Sequence, residues 1–364
     1  MKKPTTLLRS FSSRLSTRLA PPPSPAVAPW PPVRSAYDRW LAAVLDELRA
    51  DSLAAPCTSA AWLTRALSLA VAAQRRLVVA SADAGIIDRR KTADECADDA
   101  AELLDACAGV RDRLDMLRSY VNATRVALHW LEGGHGGEAA ARQAAAAFAE
   151  CDAVERRCTG GGGLAKCLSN LRKLGERAVL NARQQNPAGG GGEELSGARA
   201  VAVLAIGALG AALTFRPRRG VSGLATGVSG GGGKAVAAQW ECALQEVQRQ
   251  VREEYERRRK DGVPCMAELD AAAATARAVR CAVAGGRRCP EKVMEAARRR
   301  CDELEEAAAA FEEKVGELHR ELIAVRMVLL ERARGHEFLR LDCTPAHSEA
   351  SRPRFSWSRK SDVN

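Results

Sequence analysis

The chain has 364 residues, 46% of them hydrophobic and 27% charged, which is enough apolar material for a sizeable core and excludes a wholly disordered chain. Aromatic residues make up only 4%, and isoleucine is scarce, so the composition favours helices over strands. The net charge is +10, but six basic residues precede the first acidic residue, Asp38, and 10 − 6 leaves +4 for the rest. With so few aromatic side chains to stack on bases, we expect no nucleic-acid partner.

The first 34 residues form a basic segment without an acid, rich in Ser, Arg and Pro. Its spacing of leucines is typical of an organelle transit peptide, and a disordered tail is the open alternative. The proline-rich stretch Pro21 to Pro32 predicts an extended linker. We therefore place the start of the folded domain at Ser35.

Residues 35–335 are predicted to form one all-α domain, an elongated bundle with two long heptad-patterned helices and a central apolar helix. Two amphipathic helices open it, from about residue 35 to 48 and from 59 to 80. The first long helix begins at the capping box Thr92 to Glu95 and ends at Gly133. Its apolar residues alternate in spacings of three and four, a pattern that needs partner helices along its length. They are Cys96, Ala100, Leu103, Cys107, Val110, Leu114, Leu117, Val121, Thr124, Leu128 and Leu131.

Shorter helices are predicted over residues 137–157 and 164–182, then from Trp240 to Tyr255 and from Pro264 to Val283. Gly-rich loops are expected near 159–163, 186–197 and 227–233. Pro290 marks the start of the second long helix. The residues predicted for its buried face are Cys301, Leu304, Ala308, Phe311, Val315, Leu318, Leu322, Val325 and Leu329. Residues 336–364 are predicted to be a disordered tail.

The run ARAVAVLAIGALGAALTF, from Ala198 to Phe215, is the most apolar part of the chain. The sixteen residues from Ala200 to Phe215, all apolar or Gly except Thr214, span roughly 24 Å of helix, less than the roughly 30 Å hydrocarbon core of a bilayer. Gly207 and Gly210 would let neighbouring helices approach closely. The length favours a buried helix, while the flanking Arg199 and Arg216 keep a membrane span open as the alternative.

No pattern for catalysis, cofactor binding or metal binding emerges. The twelve cysteines form no C-x-x-C pair and no zinc-type group with histidine, and Cys96, Cys107 and Cys301 lie on apolar helix faces, so we expect buried thiols in a reducing compartment. The glycines before Lys234 lack the Gly and Ser/Thr that a phosphate-binding loop needs. His129, His319 and His336 lie in separate segments. We therefore predict no catalytic, cofactor-binding or metal-binding residue, and nothing in the residues supports an enzyme.

Three segments together resemble the plant BYPASS-related family, also described as ROH-like. They are ELLDACAGVRDRLDMLRSYVNATRVALHWLEGG (Glu102 to Gly134), AQWECALQEVQRQVREE (Ala238 to Glu254) and FEEKVGELHRELIAVRMVLLERARG (Phe311 to Gly335), with the apolar run between the first two. The Gly tracts and the heavy Ala content depart from that family's usual loops.

The resemblance implies a non-enzymatic plant protein linked to root and shoot development. For function, it implies either control of a mobile signal or binding of an exocyst subunit in secretion. For location, it implies either a single membrane span or plastid targeting. Our hypothesis is an intracellular interaction protein, cytosolic or membrane-associated, whose outer helix faces bind a helical protein, with Leu318 and Leu322 in the contact surface. A protein anchored by Ala198–Phe215 is the alternative.

Overall fold

In a computed structural model of the chain, the described residues are 35–83, 90–132, 137–159, 163–184, 191–216 and 238–342. Within these ranges the chain forms nine α-helices and no strand, which confirms the predicted all-α bundle. The predicted tail 1–34 with its proline linker, the loop near 227–233 and residues 343–364 lie outside the described residues. The helices are α1 (Ala36–Ala54), α2 (Ala60–Asp83), α3 (Arg90–Glu132), α4 (Glu138–Thr159), α5 (Gly163–Gln184), α6 (Gly191–Ala212), α7 (Gln239–Asp261), α8 (Ala267–Ala284) and α9 (Glu291–Asp342).

The two longest helices, α3 and α9, pack antiparallel and form the axis of the bundle. With 43 and 52 residues, they are about 65 and 78 Å long. Their direction follows from the ion pairs between them, because Arg125 contacts Asp302 at 2.6 Å while Arg118, one heptad earlier, contacts Glu312, further along α9. All nine residues predicted for the buried face of α9 are buried, as are those of α3 except Leu131.

Helices α4 and α5 follow one another along α3, both antiparallel to it. The Cys151 thiol of α4 lies 3.4 Å from the hydroxyl of Thr124 on α3. In α5, Leu164 packs beside Gly109, nearer the start of α3, and Arg177 reaches Asp99 at 2.9 Å. The predicted break between the two helices, near residues 159–163, falls at residues 160–162, outside the described residues. Together, α4 and α5 cover one side of α3 along most of its length.

The remaining helices close the bundle around this axis. Helix α2 packs against α9, with Arg75 against Glu321 at 2.8 Å. Helices α1 and α7 pack together where the Asp38 carboxylate accepts the backbone N–H of Trp240 at 2.9 Å. Helix α6 lies inside, between α2 and α5 and beside α3.

Three helix boundaries differ from the sequence predictions. Helix α3 begins at Arg90, two residues before the predicted capping box. Helix α6 begins at Gly191, so residues 191–197 are helical and not part of the expected loop. Helix α9 continues to Asp342, seven residues beyond the predicted end of the domain at Gly335. In α6, just before the apolar run, Leu195 and Ser196 are buried, and such packing stabilises a helix through residues of weak local propensity.

Candidate interaction surface

The apolar run of α6 is enclosed by other helices of the same chain. Every residue from Leu195 to Phe215 is buried. Among the described residues one helical segment, Gly192–Ala212, is long and apolar enough to cross a membrane, with a mean hydropathy of 1.7, and all of its apolar window is buried inside the protein. Length and composition therefore permit a span, while the packing gives this segment the position of a core helix.

Polar contacts from three other helices fix α6 in place. Arg199, 5% exposed, forms an ion pair of 2.6 Å with Asp99 of α3, and Arg177 of α5 contacts the other oxygen of the same carboxylate. Gln74 of α2 donates to the carbonyl of Ala198 at 3.0 Å, and Tyr255 of α7 donates to that of Ala208 at 2.7 Å. Because buried polar groups are costly unless paired, these contacts specify one position for α6 within the bundle.

The sequence predicted close helix approach at Gly207 and Gly210, and the structure shows it at Gly210. A Cβ at Gly210 would lie 2.9 Å from a terminal methyl group of Leu168 on α5, so a side chain there would require Leu168 to shift. A second such position, Gly197, was assigned to a loop by the sequence prediction. A Cβ there would lie 2.8 Å from the ring of Tyr37 and 2.9 Å from Leu41.

The cysteines of the described residues are free, and most of them are core residues, as predicted for Cys96, Cys107 and Cys301. Burial raises the pKa of Cys107 to about 12 and that of Cys301 to about 12. The neutral thiol is the form that burial favours, and it is a poor nucleophile and a poor metal ligand. These side chains serve as small apolar packing groups.

The titratable residues considered in the sequence do not converge. His129 is exposed near the end of α3, His319 is half-buried on α9, and the side chain of His336 and the loop with Lys234 lie outside the described residues. Within the described ranges no group of three or more His, Cys, Asp or Glu side chains could hold a metal ion.

The predicted contact residues on α9 are not on the surface. Leu318 is 0% exposed and Leu322 is 1% exposed, both within the core. Apolar residues spaced by three and four mark the face that a helix packs inward, so the pattern identified the core side of α9 and not its outer side. The part of the hypothesis that assigned these two leucines to a docking surface is wrong.

The outer side of α9 carries two other apolar residues. Ile323 is 43% exposed and Met327, one turn further on, is 52% exposed. Residues four apart on a helix share a face, so the two side chains form a continuous apolar strip. Both fall outside the three–four pattern of the buried face. That departure is the signal by which the sequence could have identified them.

Two arginines border this strip. Gly316 lies on the same face, and a Cβ there would be 3.7 Å from a guanidinium nitrogen of Arg320 and 3.8 Å from one of Arg111 on α3. Neither arginine forms an ion pair with another described residue. Burial, followed by the charge of Arg111, lowers the pKa of the neighbouring His319. We call the surface formed by Arg111, Gly316, Arg320, Ile323 and Met327 the α9 outer patch. It combines an apolar strip with two guanidinium groups that no described carboxylate holds in an ion pair.

No family model, curated protein or solved structure matches this chain. The likeness to the BYPASS-related family accordingly stays an expectation from the order and pattern of three segments.

Proposed function

We propose that the protein is a non-enzymatic interaction protein that binds an amphipathic helix of another protein through the α9 outer patch. The observation that carries the proposal is that Ile323 and Met327 are exposed one turn apart, beside Arg111 and Arg320, which form no ion pair within the described part of the chain. A helical partner with an apolar stripe and flanking acidic residues would cover the first pair and neutralise the second.

The resemblance to the BYPASS-related family extends this proposal to a biological setting. On that basis the protein acts in plant root and shoot development, by control of a mobile signal or of secretion, and a subunit of the exocyst is the first partner to test. We place it inside the cell, in the cytosol or at a membrane. Imaging a fluorescent C-terminal fusion with and without residues 1–34 tests whether that segment directs it to plastids.

The experiment is a quantitative pull-down of exocyst subunits by purified wild-type protein and three double variants. We expect I323E/M327E to lose more than tenfold in affinity, since the loss of apolar contacts at an interface centre typically costs about 2 kcal/mol or more. R111E/R320E should weaken binding and reverse its dependence on salt. The matched control is V79E/V126E, which places the same charges on two other exposed valines, 65% and 50% exposed.

All variants must retain the wild-type circular dichroism spectrum. Equal binding by I323E/M327E and V79E/V126E would overturn the α9 outer patch as the docking surface. Failure of the wild-type protein to capture any exocyst subunit would remove that partner from the proposal.

A second candidate function is that of a protein anchored by α6. It is favoured by the hydropathy of Gly192–Ala212. It would require Arg199 to leave Asp99, with which it forms a buried pair, and the bundle would lose its inner helix. Alkaline carbonate extraction of cell membranes separates the two, because release of the protein into the soluble fraction rules out the span.

A further inference from the structure

A cleft of about 710 Å³ lies at the end of the bundle where α3 ends and α8 turns into α9. It is formed by the last residues of α3, the first turn of α4, the α8–α9 connection and the start of α9. The α9 outer patch lies almost thirty residues further along α9, at a distance of about 40 Å. The cleft is therefore a separate feature from the surface proposed above.

The α8–α9 connection that forms one wall is held by hydrogen bonds to the end of α8. The backbone N–H of Gly285 donates to the carbonyl of Cys281 at 3.1 Å, and that of Arg287 donates to the carbonyl of Ala282 at 3.0 Å. Gly286 has a φ of 64°, in the left-handed region that favours glycine at the end of a helix. These contacts fix the backbone of this wall.

The acidic side chains around the cleft are in ion pairs with Arg298, whereas two arginines that line it form no ion pair within the described part of the chain. Its two acids, Glu132 and Glu291, both contact Arg298, the second at 3.5 Å. Arg287 and Arg288 also line the cleft, are exposed, and form no ion pair with another described residue. A guanidinium group is suited to bind a carboxylate through two parallel hydrogen bonds. The cleft therefore offers two unpaired anion-binding groups.

The rest of the wall is apolar. Trp130 lines it with 44% of its surface exposed, an unusual state for the largest apolar side chain. Val283 and Met294 contribute aliphatic surface, and Ala140 and Ala141 of α4 leave room because their side chains are small. The volume falls within the range of roughly 300–1,000 Å³ that is typical of sites for small molecules.

We propose that this cleft binds a small organic acid with an aromatic or aliphatic body. Its carboxylate lies against Arg287 and Arg288, and its apolar body lies against Trp130, Val283 and Met294. The proposal is independent of any protein partner at the α9 outer patch.

The test uses the full-length protein and 2-naphthoate as the probe, with 2-naphthalenemethanol as an uncharged molecule of the same shape. Isothermal titration calorimetry measures affinity and stoichiometry. Alkylation of Cys289, a half-buried thiol in the cleft wall, followed by peptide mass spectrometry, locates the binding. The exposed Cys242 serves as the internal reference.

We expect one equivalent of 2-naphthoate to bind, to slow alkylation of Cys289 severalfold, and to leave Cys242 unchanged. R287Q/R288Q should weaken binding roughly ten- to hundredfold, the cost of losing charge-assisted hydrogen bonds. K292Q/R299Q removes the same charge from two exposed residues of α9 outside the cleft lining and should have little effect. The uncharged alcohol should bind as weakly as the acid binds to R287Q/R288Q.

A variant that fills the cleft tests the proposal without any change of charge. Ala141 is exposed at the cleft wall, so A141W should keep the fold and abolish both binding and the protection of Cys289. The absence of saturable binding to the wild-type protein at 1 mM probe, on the order of the weakest affinity expected for such a site, would overturn the proposal. So would affinity that is unchanged in both R287Q/R288Q and A141W.

Discussion

Arg199 of α6 and Asp99 of α3 form an ion pair of 2.6 Å in the interior of the bundle, with only 6% and 12% of their side chains exposed. A second guanidinium nitrogen of Arg199 is buried without a hydrogen-bond partner among the described residues. The carboxylate of Asp99 is therefore the main group that compensates the buried charge of α6.

Removal of that carboxylate should be strongly destabilising. We expect D99N to lower the free energy of unfolding by about 3–5 kcal/mol, because it leaves Arg199 charged and buried. The double variant D99L/R199M removes both charges and should recover most of the loss. Urea denaturation followed by circular dichroism measures both.

The control for this pair is E150Q, which breaks the exposed pair of Glu150 with Arg157, each 54% exposed. Exposed pairs contribute at most about 1 kcal/mol. If D99N were as stable as E150Q, a group other than Asp99 would have to compensate the buried charge of Arg199.

Gly197 should not tolerate a side chain. A Cβ there would meet Tyr37 and Leu41 at under 3.0 Å, and Tyr37 is itself buried against Trp40, with 5.5 Å between ring centroids. We expect G197A to lose about 1–2 kcal/mol in the free energy of unfolding, since overpacking exceeds the helix propensity gained. G109A, with its nearest neighbour at 3.4 Å, should gain up to about 1 kcal/mol. Equal stabilities in urea denaturation would contradict the tight contact between α6 and α1.

Glu194, in the first turn of α6, should make stability dependent on pH. Burial, followed by the neighbouring carboxylate of Glu193, raises its pKa above the ordinary value, although Arg76 opposes the shift. A raised pKa in the folded state means that the protonated form is favoured by folding. The contribution of protonated Glu194 to the stability of the folded state is therefore fully present below its ordinary pKa. This contribution is lost as the pH rises through the raised pKa of the folded state.

The neutral variant E194Q should consequently be more stable than the wild type at pH 7, and the difference should vanish near about pH 4. Urea midpoints across this pH range measure it. The control E306Q changes an exposed carboxylate on α9 and should show no such trend. A difference for E194Q that stays constant with pH would refute the assignment.

The cysteine thiols should fall into two groups with very different rates of alkylation. Cys242 and Cys281 are exposed, whereas Cys107 and Cys301 are buried with pKa values raised to about 12. We expect the first two to react with iodoacetamide in the native protein and the second two to react only after unfolding. Peptide mass spectrometry over a time course gives the rates, and rapid alkylation of Cys107 in folded protein would mean that its helix face is open to solvent.

The sequence was sufficient to predict the helices and their inward faces. Cys301 to Leu329 on α9 follow a spacing that only a packed helix explains, and all nine predicted positions are buried. The same spacing carries no information about the outer side, which is why Leu318 and Leu322 were assigned to a contact surface and Ile323 and Met327 were not.

Long-range contacts decided the features that the sequence could not predict. Residues 191–197 read as a flexible loop because glycine is a poor helix former. They are helical because Leu195 and Ser196 are buried in the bundle and Gly197 fits against Tyr37. The partner of Arg199 lies in α3, a hundred residues earlier, and no local pattern connects the two.

The central claim is that α6 is the inner helix of the bundle. Hydrogen–deuterium exchange of the full-length protein in buffer without detergent tests it most directly. We expect the backbone amides of residues 200–212 to exchange among the slowest in the chain, at the rate set by global unfolding. Rapid exchange of these amides while α3 and α9 stay protected would contradict it, because the apolar run would then lie outside the folded core.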